Sequence, residues 1–286
     1  MSRVPASVGV IGGGRMGAGI AQVFAQAGSS VTVIERDDAS VSQARSRLEN
    51  GVAKAAARDA AVDAASVLAR LNVSDDYAAL AGVDLVIEAV PEVVALKIEA
   101  LTKAERIIGA SSWLATNTSS LSVTGIADQL QRPDRFCGLH FFNPVPPSAL
   151  VEVVLTAHTS PELRAFAEGW VSALGKTPIF VNDAPGFASS RLGLAIALEA
   201  MRMLEEGVAS ADDIDTAMVL GYRHATGPLR TSDLVGLDVR LGIAEYLYKT
   251  LGDRFAPPQI LRDKVAAGDL GRKTGRGFFD YPGDAA

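Results

Sequence analysis

The feature that most constrains this chain is the run Gly12-Gly13-Gly14-Arg15-Met16-Gly17, which fits G-x-G-x-x-G. Alone the spacing is weak, because any glycine-rich turn can produce it. Its flanks sharpen it. Val8-Gly9-Val10-Ile11 before it reads as a buried strand. The stretch from Met16 carries Ile20, Val23, Phe24 and Ala27 at helical spacing, and Gly28 supplies the stop. Val31-Thr32-Val33-Ile34 is a second strand, rich in β-branched residues. Together these form a strand–helix–strand crossover, the context in which the glycine pattern holds a dinucleotide. Gly12 permits the tight turn, Gly14 lets backbone approach a pyrophosphate, and Gly17 lets helix and strand pack closely. The helix N-terminus then offers N–H groups and positive partial charge to phosphates. Gly12, Gly14, Arg15, Met16 and Gly17 are the candidate cofactor-binding residues of this turn. Glu35 ends the second strand, 18 residues after Gly17. A carboxylate there accepts hydrogen bonds from a ribose hydroxyl pair and repels a 2′-phosphate, which favours NAD over NADP. The neighbouring Arg36 leaves pairing with that phosphate open.

Beyond Ile34 the pattern continues as alternating strands and helices. Asp37 to Leu71 is rich in Ala, Arg and Glu, and reads as one long helix or a helical hairpin capped by Asp37 or Asp38. Strands are expected at Asp84–Ile87, Trp113–Thr116, Phe136–Phe142, Leu150–Leu155 and Pro178–Val181. Helices are expected at Val94–Ile108 and from Ser160-Pro161 to Gly175. After Pro185 the texture changes to helices alone: Ala188–Glu206, one opened by the box Ser210-Ala211-Asp212-Asp213, then Val239–Leu251 and Pro257–Ala267. The expected architecture is a Rossmann-type, doubly wound α/β domain over residues 1–184, followed by an all-helical domain over 185–286.

Composition sets limits on function. Net charge is −6, so no basic surplus exists for general nucleic-acid binding. The one cysteine, Cys137, cannot form an internal disulfide and suits a reducing, cytoplasmic setting. It lies in the apolar run Phe136-Cys137-Gly138-Leu139 and reads as a small buried hydrophobe rather than a nucleophile. The apolar start at Val8 is too short for a secretory signal, and no segment is long enough to span a bilayer. No His/Cys/Asp cluster has metal-ligand spacing.

Three histidines are present, His140, His158 and His224. Removing hydride from an alcohol needs a base for the hydroxyl proton, and imidazole is the usual choice near neutral pH. His158 sits in a polar approach to a helix cap and His224 in a turn. His140 is flanked by apolar and aromatic residues, so a satisfied core histidine is one reading. The Asn143-Pro144 that follows and Glu152 one strand later point to a second, an imidazole whose tautomer a carboxylate fixes. Ser119 and Asn117, in Asn117-Thr118-Ser119-Ser120, lie just past a strand, where a doubly wound sheet builds its ligand crevice.

With these motifs in order, the sequence resembles the 3-hydroxyacyl-CoA dehydrogenase family, in its short bacterial form, over nearly the whole chain. The further markers are Asp84-Leu85-Val86-Ile87-Glu88-Ala89-Val90, His140-Phe141-Phe142-Asn143-Pro144, Pro185-Gly186-Phe187, Gly227-Pro228 with Asp233, and Gly271-Arg272-Lys273-Thr274-Gly275-Arg276-Gly277-Phe278. The resemblance implies hydride transfer between NAD and the 3-hydroxyl or 3-oxo group of a short acyl-CoA, of the 3-hydroxybutyryl-CoA/acetoacetyl-CoA type. It implies His140 as general base, Glu152 as its charge partner and Ser119 as a hydrogen-bond partner of the 3-hydroxyl. Ala89, Glu92, Lys97, Asn117, Asn143 and Lys273 match positions that contact the cofactor in relatives. Lys54, with Arg58 four residues on, is the candidate for CoA phosphates; two solvated charges are the plain alternative. The family continues Pro-Gly-Phe to an Asn-Arg pair whose Asn helps hold substrate, whereas here Ser190 precedes Arg191. Ser190 is therefore a candidate catalytic and substrate-binding residue with shorter reach. A homodimer through the helical domain is implied, with Leu192, Ile196, Met201, Leu234, Leu237, Leu241 and Ile243 as its apolar surface. Two other readings remain: a dehydrogenase of another hydroxyacid or of a carrier-protein thioester, and a non-catalytic NAD-binding structural protein. Intact Ser119, His140 and Glu152 count against the last.

Overall fold

β-Branched residues between polar turns produce a sheet buried on both faces. The computed structural model describes residues 3–282. In chain order the first part holds β1 (Ser7–Ile11), α1 (Arg15–Gln26), β2 (Ser30–Ile34), α2 (Asp38–Arg58), α3 (Ala64–Leu68) and β3 (Leu71–Ser74). Then come β4 (Leu85–Glu88), α4 (Val94–Glu105), β5 (Trp113–Thr116), α5 (Val123–Ala127), β6 (Phe136–Phe141), β7 (Leu150–Leu155), α6 (Pro161–Ala173) and β8 (Thr177–Asn182). The strands form one sheet in the order β3-β2-β1-β4-β5-β6-β7-β8. All neighbours are parallel except β6 and β7. From β1 the chain winds out one way through β2 and β3 and the other way through β4. That reversal places a ligand crevice at the carboxyl end of β1. Val8, Val10, Val31, Val33, Leu85 and Ile87 are fully buried, as expected of strands covered on both sides.

The expected α/β sheet is therefore present, with one choice settled and one correction. The stretch Asp37 to Leu71, read as one long helix or a helical hairpin, holds two helices, and the caps explain the break. Asp37 accepts from Ser40 N to start α2, and Asp63 accepts from Ser66 N to start α3. Leu71–Ser74 is a strand that the Ala-rich texture concealed. It pairs with β2 in parallel from Val31↔Leu71 to Ile34↔Ser74. Cys137 is buried in β6, and burial pushes its thiol up to about 12, so it stays protonated.

The chain divides into two units that part between Ala184 and Pro185. The second holds α7 (Ser189–Glu205), α8 (Ala211–Thr216), α9 (Pro228–Val235), α10 (Leu237–Leu251) and α11 (Gln259–Ala266). Its core includes Leu194, Leu198, Met201, Leu229, Leu237 and Leu247. Met201 and Leu237, expected at a surface, are fully buried here, whereas Leu192 is 65% exposed. Two buried carboxylates organise this unit. Asp215 accepts from Leu229 N (2.8 Å) and Arg230 N (2.9 Å) and so caps α9. Asp233 accepts from Phe278 N and Phe279 N, both at 2.9 Å, and from the Tyr281 hydroxyl at 3.2 Å. A Cβ on Gly277 would lie 2.1 Å from the Asp233 carboxylate, so the glycines of that closing motif serve this docking. Among the described residues no helix is long and apolar enough to cross a membrane.

Candidate active site

A cleft of about 750 Å³ opens at the carboxyl ends of β1, β2 and β4, lined by Gly12, Gly14, Arg15, Met16, Glu35 and Ala89 among others. Three glycines shape it for different reasons. Gly12 has φ +95°, and a Cβ there would lie 2.9 Å from Ala89 O. A Cβ on Gly17 would lie 1.8 Å from Gly12 O, so only glycine lets α1 start this close to β1. Gly14 faces open space, with nothing within 4 Å of an added Cβ, and it caps α1 without a side-chain hydrogen bond. An open, uncapped helix N-terminus beside a glycine turn fits a dinucleotide pyrophosphate. Glu35 Oε1 accepts from Gly13 N at 2.7 Å, which fixes the acidic side chain against the turn. Arg36 also lines the cleft, but its Nε donates to Asp37 (3.1 Å) and Ser40 (3.3 Å). The guanidinium thus already has an anionic partner.

The proton-handling pair follows from strand register. β6 and β7 are antiparallel, with His140 directly opposite Glu152. Directly opposed residues bring their Cβ atoms about 5 Å apart on one face. Here His140 Nδ1 lies 2.7 Å from Glu152 Oε2, and both side chains are buried. The loop between these strands carries Asn143 and is held from beneath by Lys176. That buried ammonium donates to Val145 O (2.8 Å), Pro146 O (3.3 Å) and Ser148 O (2.5 Å). Asn117 Oδ1 accepts from Phe141 N at 2.9 Å, tying the end of β5 to β6 beside His140.

Ser119 belongs to a charged cluster that sequence reasoning saw only in part. Lys97, 1% exposed, lies 2.8 Å from Glu88 and 3.2 Å from Glu92. Glu88, fully buried at the end of β4, also accepts from Val90 N and from the Thr116 hydroxyl. Glu92 Oε1 accepts from Thr118 Oγ1 (2.6 Å), Ser119 N (2.9 Å) and Ser119 Oγ (3.3 Å). Burial opposes the charge on Glu92. The Lys97 ammonium and the bonds from Thr118 and Ser119 outweigh it and hold the carboxyl below its ordinary 4.5. Lys97 is buried and Glu92 exposed, and together they set the Ser119 turn. Glu88 was missed as a functional residue, and its signal was an acid closing the apolar strand Leu85-Val86-Ile87. Asp215 carried no such signal, since an isolated acid in helical sequence is ordinary, and Asp233 stood out only as a marker of the family resemblance.

The other sequence candidates lie elsewhere. Glu92, Lys97, Asn117 and Asn143 do not line the glycine-turn cleft. Lys54 and Arg58 are exposed near the end of α2. In the second unit Ser190 lies in the first turn of α7, and Lys273 donates to both oxygens of Asp238 (2.6 and 2.7 Å). His158 pairs with Asp128 at 3.0 Å on the surface.

Acid–base machinery on the same strand ends as a dinucleotide cradle marks a nicotinamide-dependent oxidoreductase. The comparisons narrow this. Residues 7–184 match the 3-hydroxyacyl-CoA dehydrogenase NAD binding domain, and residues 186–281 match the C-terminal domain of the same family. A probable 3-hydroxybutyryl-CoA dehydrogenase of Deinococcus radiodurans is 40% identical over 96% of this chain and 99% of its own. The 3-hydroxybutyryl-CoA dehydrogenase of Mycobacterium tuberculosis is 40% identical over 98% and 100%. Among solved structures, Mycobacterium tuberculosis FadB2 superposes with TM-score 0.93 at 39% identity, covering 97% of this chain and 99% of that one. The (S)-3-hydroxybutyryl-CoA dehydrogenase of Ralstonia eutropha gives 0.91 at 41% identity, with 97% and 99% covered. This chain belongs to the 3-hydroxyacyl-CoA dehydrogenase family, and its cofactor is NAD.

Proposed function

We propose that the protein interconverts a short-chain 3-hydroxyacyl-CoA and its 3-oxo form, with 3-hydroxybutyryl-CoA and acetoacetyl-CoA as the central pair. The buried His140–Glu152 pair carries this reading, because it holds an imidazole 2.7 Å from a carboxylate at the strand ends. When bound, NAD supplies the hydride acceptor for oxidation. Gly12, Gly14, Arg15, Met16 and Gly17 cradle its pyrophosphate, Glu35 takes a ribose hydroxyl pair, and Ala89 walls the cleft. Glu92, Lys97, Asn117, Asn143 and Lys273 are assigned to the rest of the cofactor.

His140 receives the 3-hydroxyl proton at Nε2, because Nδ1 faces Glu152. Glu152 accepts a hydrogen bond from Nδ1 and stabilises the imidazolium that results. In the reverse direction the same imidazolium returns the proton. Ser119, set by Glu92, hydrogen-bonds the substrate oxygen at C3. Ser190 is assigned to the substrate, and Lys54 with Arg58 to the phosphates of CoA. Ser190 in place of the family's Asn favours a second reading on substrate identity, in which the acyl group is larger or more polar than butyryl. The second unit is proposed to form a homodimer, and the protein to work in the cytoplasm.

His140→Gln tests the reading. Following NADH absorbance with acetoacetyl-CoA, kcat falls by about 10²- to 10⁴-fold. NAD affinity, measured by calorimetry, stays within about twofold, since His140 does not line the cleft. Full turnover in this variant would remove His140 from the chemistry.

A further inference from the structure

Helix α10 buries Leu237, Arg240, Ala244 and Leu247, a helical stripe turned toward the core of the second unit. Leucine and alanine belong in that stripe and an arginine does not. Arg240 is only 7% exposed, and among the described residues its Nε has no hydrogen-bond partner. Burial lowers the guanidinium to about 10, and among the described residues no neighbouring carboxylate offsets it. Taking a guanidinium out of water without an anion is strongly unfavourable. An orphaned buried group of this kind calls for a partner.

The surroundings indicate which partner. Arg240 points at α7, where a Cβ added to Gly193 would lie 3.9 Å from Nη1. Ser190 stands three residues earlier on α7, on the same helix face as Gly193, and both residues are small. α7 is 17 residues long, and Ser190 lies in its first turn. The partial positive charge of that helix end adds to the guanidinium. The planar fork of arginine matches carboxylate and phosphate oxygens in pairs.

We propose that Arg240 and the Ser190–Gly193 turn of α7 form an anion subsite for a carboxylate or phosphate group of the thioester substrate. The proposal rests on the reading that assigns Ser190 to the substrate. It accounts together for the small residue at Ser190, the glycine at Gly193 and the cation at Arg240. A carboxylate at the far end of the acyl chain and a phosphate of CoA share the chemistry, and substrates separate them.

The test compares wild type with Arg240→Met, which keeps length and removes charge. One readout needs no turnover: adipate or inorganic phosphate raises the thermal midpoint of wild type with concentration and leaves that of the variant unmoved. The other is kcat/KM for 3-oxohexanoyl-CoA, for the same chain ending in a carboxylate, and for the N-acetylcysteamine thioester of 3-oxohexanoate. An acyl carboxylate at the subsite predicts a loss of about 10- to 100-fold on the carboxylate-ended chain alone. A CoA phosphate predicts that loss on both CoA esters and none on the truncated thioester. If both anions shift the two proteins equally, or the variant keeps all three rates, Arg240 is part of the framework and the subsite is refuted. Should Arg240→Met fail to fold, Gly193→Leu, which fills the same space, carries the comparison. If wild type reduces none of the thioesters, the substrate reading fails while the anion titration still judges the subsite.

Discussion

At the scale of single residues, the site is governed by partners that fix charge. Glu92 joins four donors from the Thr118–Ser120 turn to the buried Lys97. Its carboxyl is held below 4.5 in the folded protein, so it binds a proton less readily folded than unfolded. The stabilisation is therefore complete above 4.5 and is lost as pH falls through the lower, folded value. Urea titrations of wild type and Glu92→Gln should differ most near neutral pH and converge in acid. A gap that stays constant from neutral pH down to strong acid would show that Glu92 acts by shape alone. His140 and Glu152 were legible in the sequence as an imidazole and a carboxylate one strand apart. Their pairing was implied by the family resemblance, but its geometry was not legible, because it depends on an antiparallel register that places them opposite each other.

At the scale of elements, the glycine turn divides into positions that serve folding and positions that serve the ligand. Gly17 sits against Gly12 O, whereas Gly14 borders open space. Gly17→Ala forces a backbone shift and should destabilise the protein by about 1–3 kcal/mol, with NAD affinity falling alongside. Gly14→Ala should leave the urea midpoint near wild type and weaken NAD binding, because the added methyl occupies the space of the phosphates. Equal midpoints for the two variants would contradict this division. β3 shows where element reading fails. Leu71-Asn72-Val73-Ser74 alternates apolar and polar, but it follows directly on a helical stretch, and only its partner β2 decides that it pairs.

At the scale of the whole molecule, the second unit exposes Leu192, Leu220, Tyr222, Leu234 and Val239. Large apolar residues gathered on one unit are a reason to expect a partner surface. A homodimer predicts twice the monomer mass in light scattering at micromolar concentration, and Leu192→Glu should shift that mass toward monomer. A monomeric wild type would exclude the dimer. No comparable surplus is needed for folding, since Leu194, Leu198, Met201 and Leu247 already close the core of that unit.

Sequence alone determined the alternating strand–helix order, the glycine cradle, the acid that follows β2 and the change to helices after Pro185. Each is a local pattern, set by periodicity, capping and the backbone freedom of glycine. Tertiary structure decided what depends on residues far apart in the chain. It set Glu152 opposite His140, closed Glu88 and Glu92 around Lys97, docked the closing glycines on Asp233 and, among the described residues, left Arg240 buried without an anion. Such pairings arise from sheet register and helix packing, which bring together side chains whose separation along the chain carries no periodic signal.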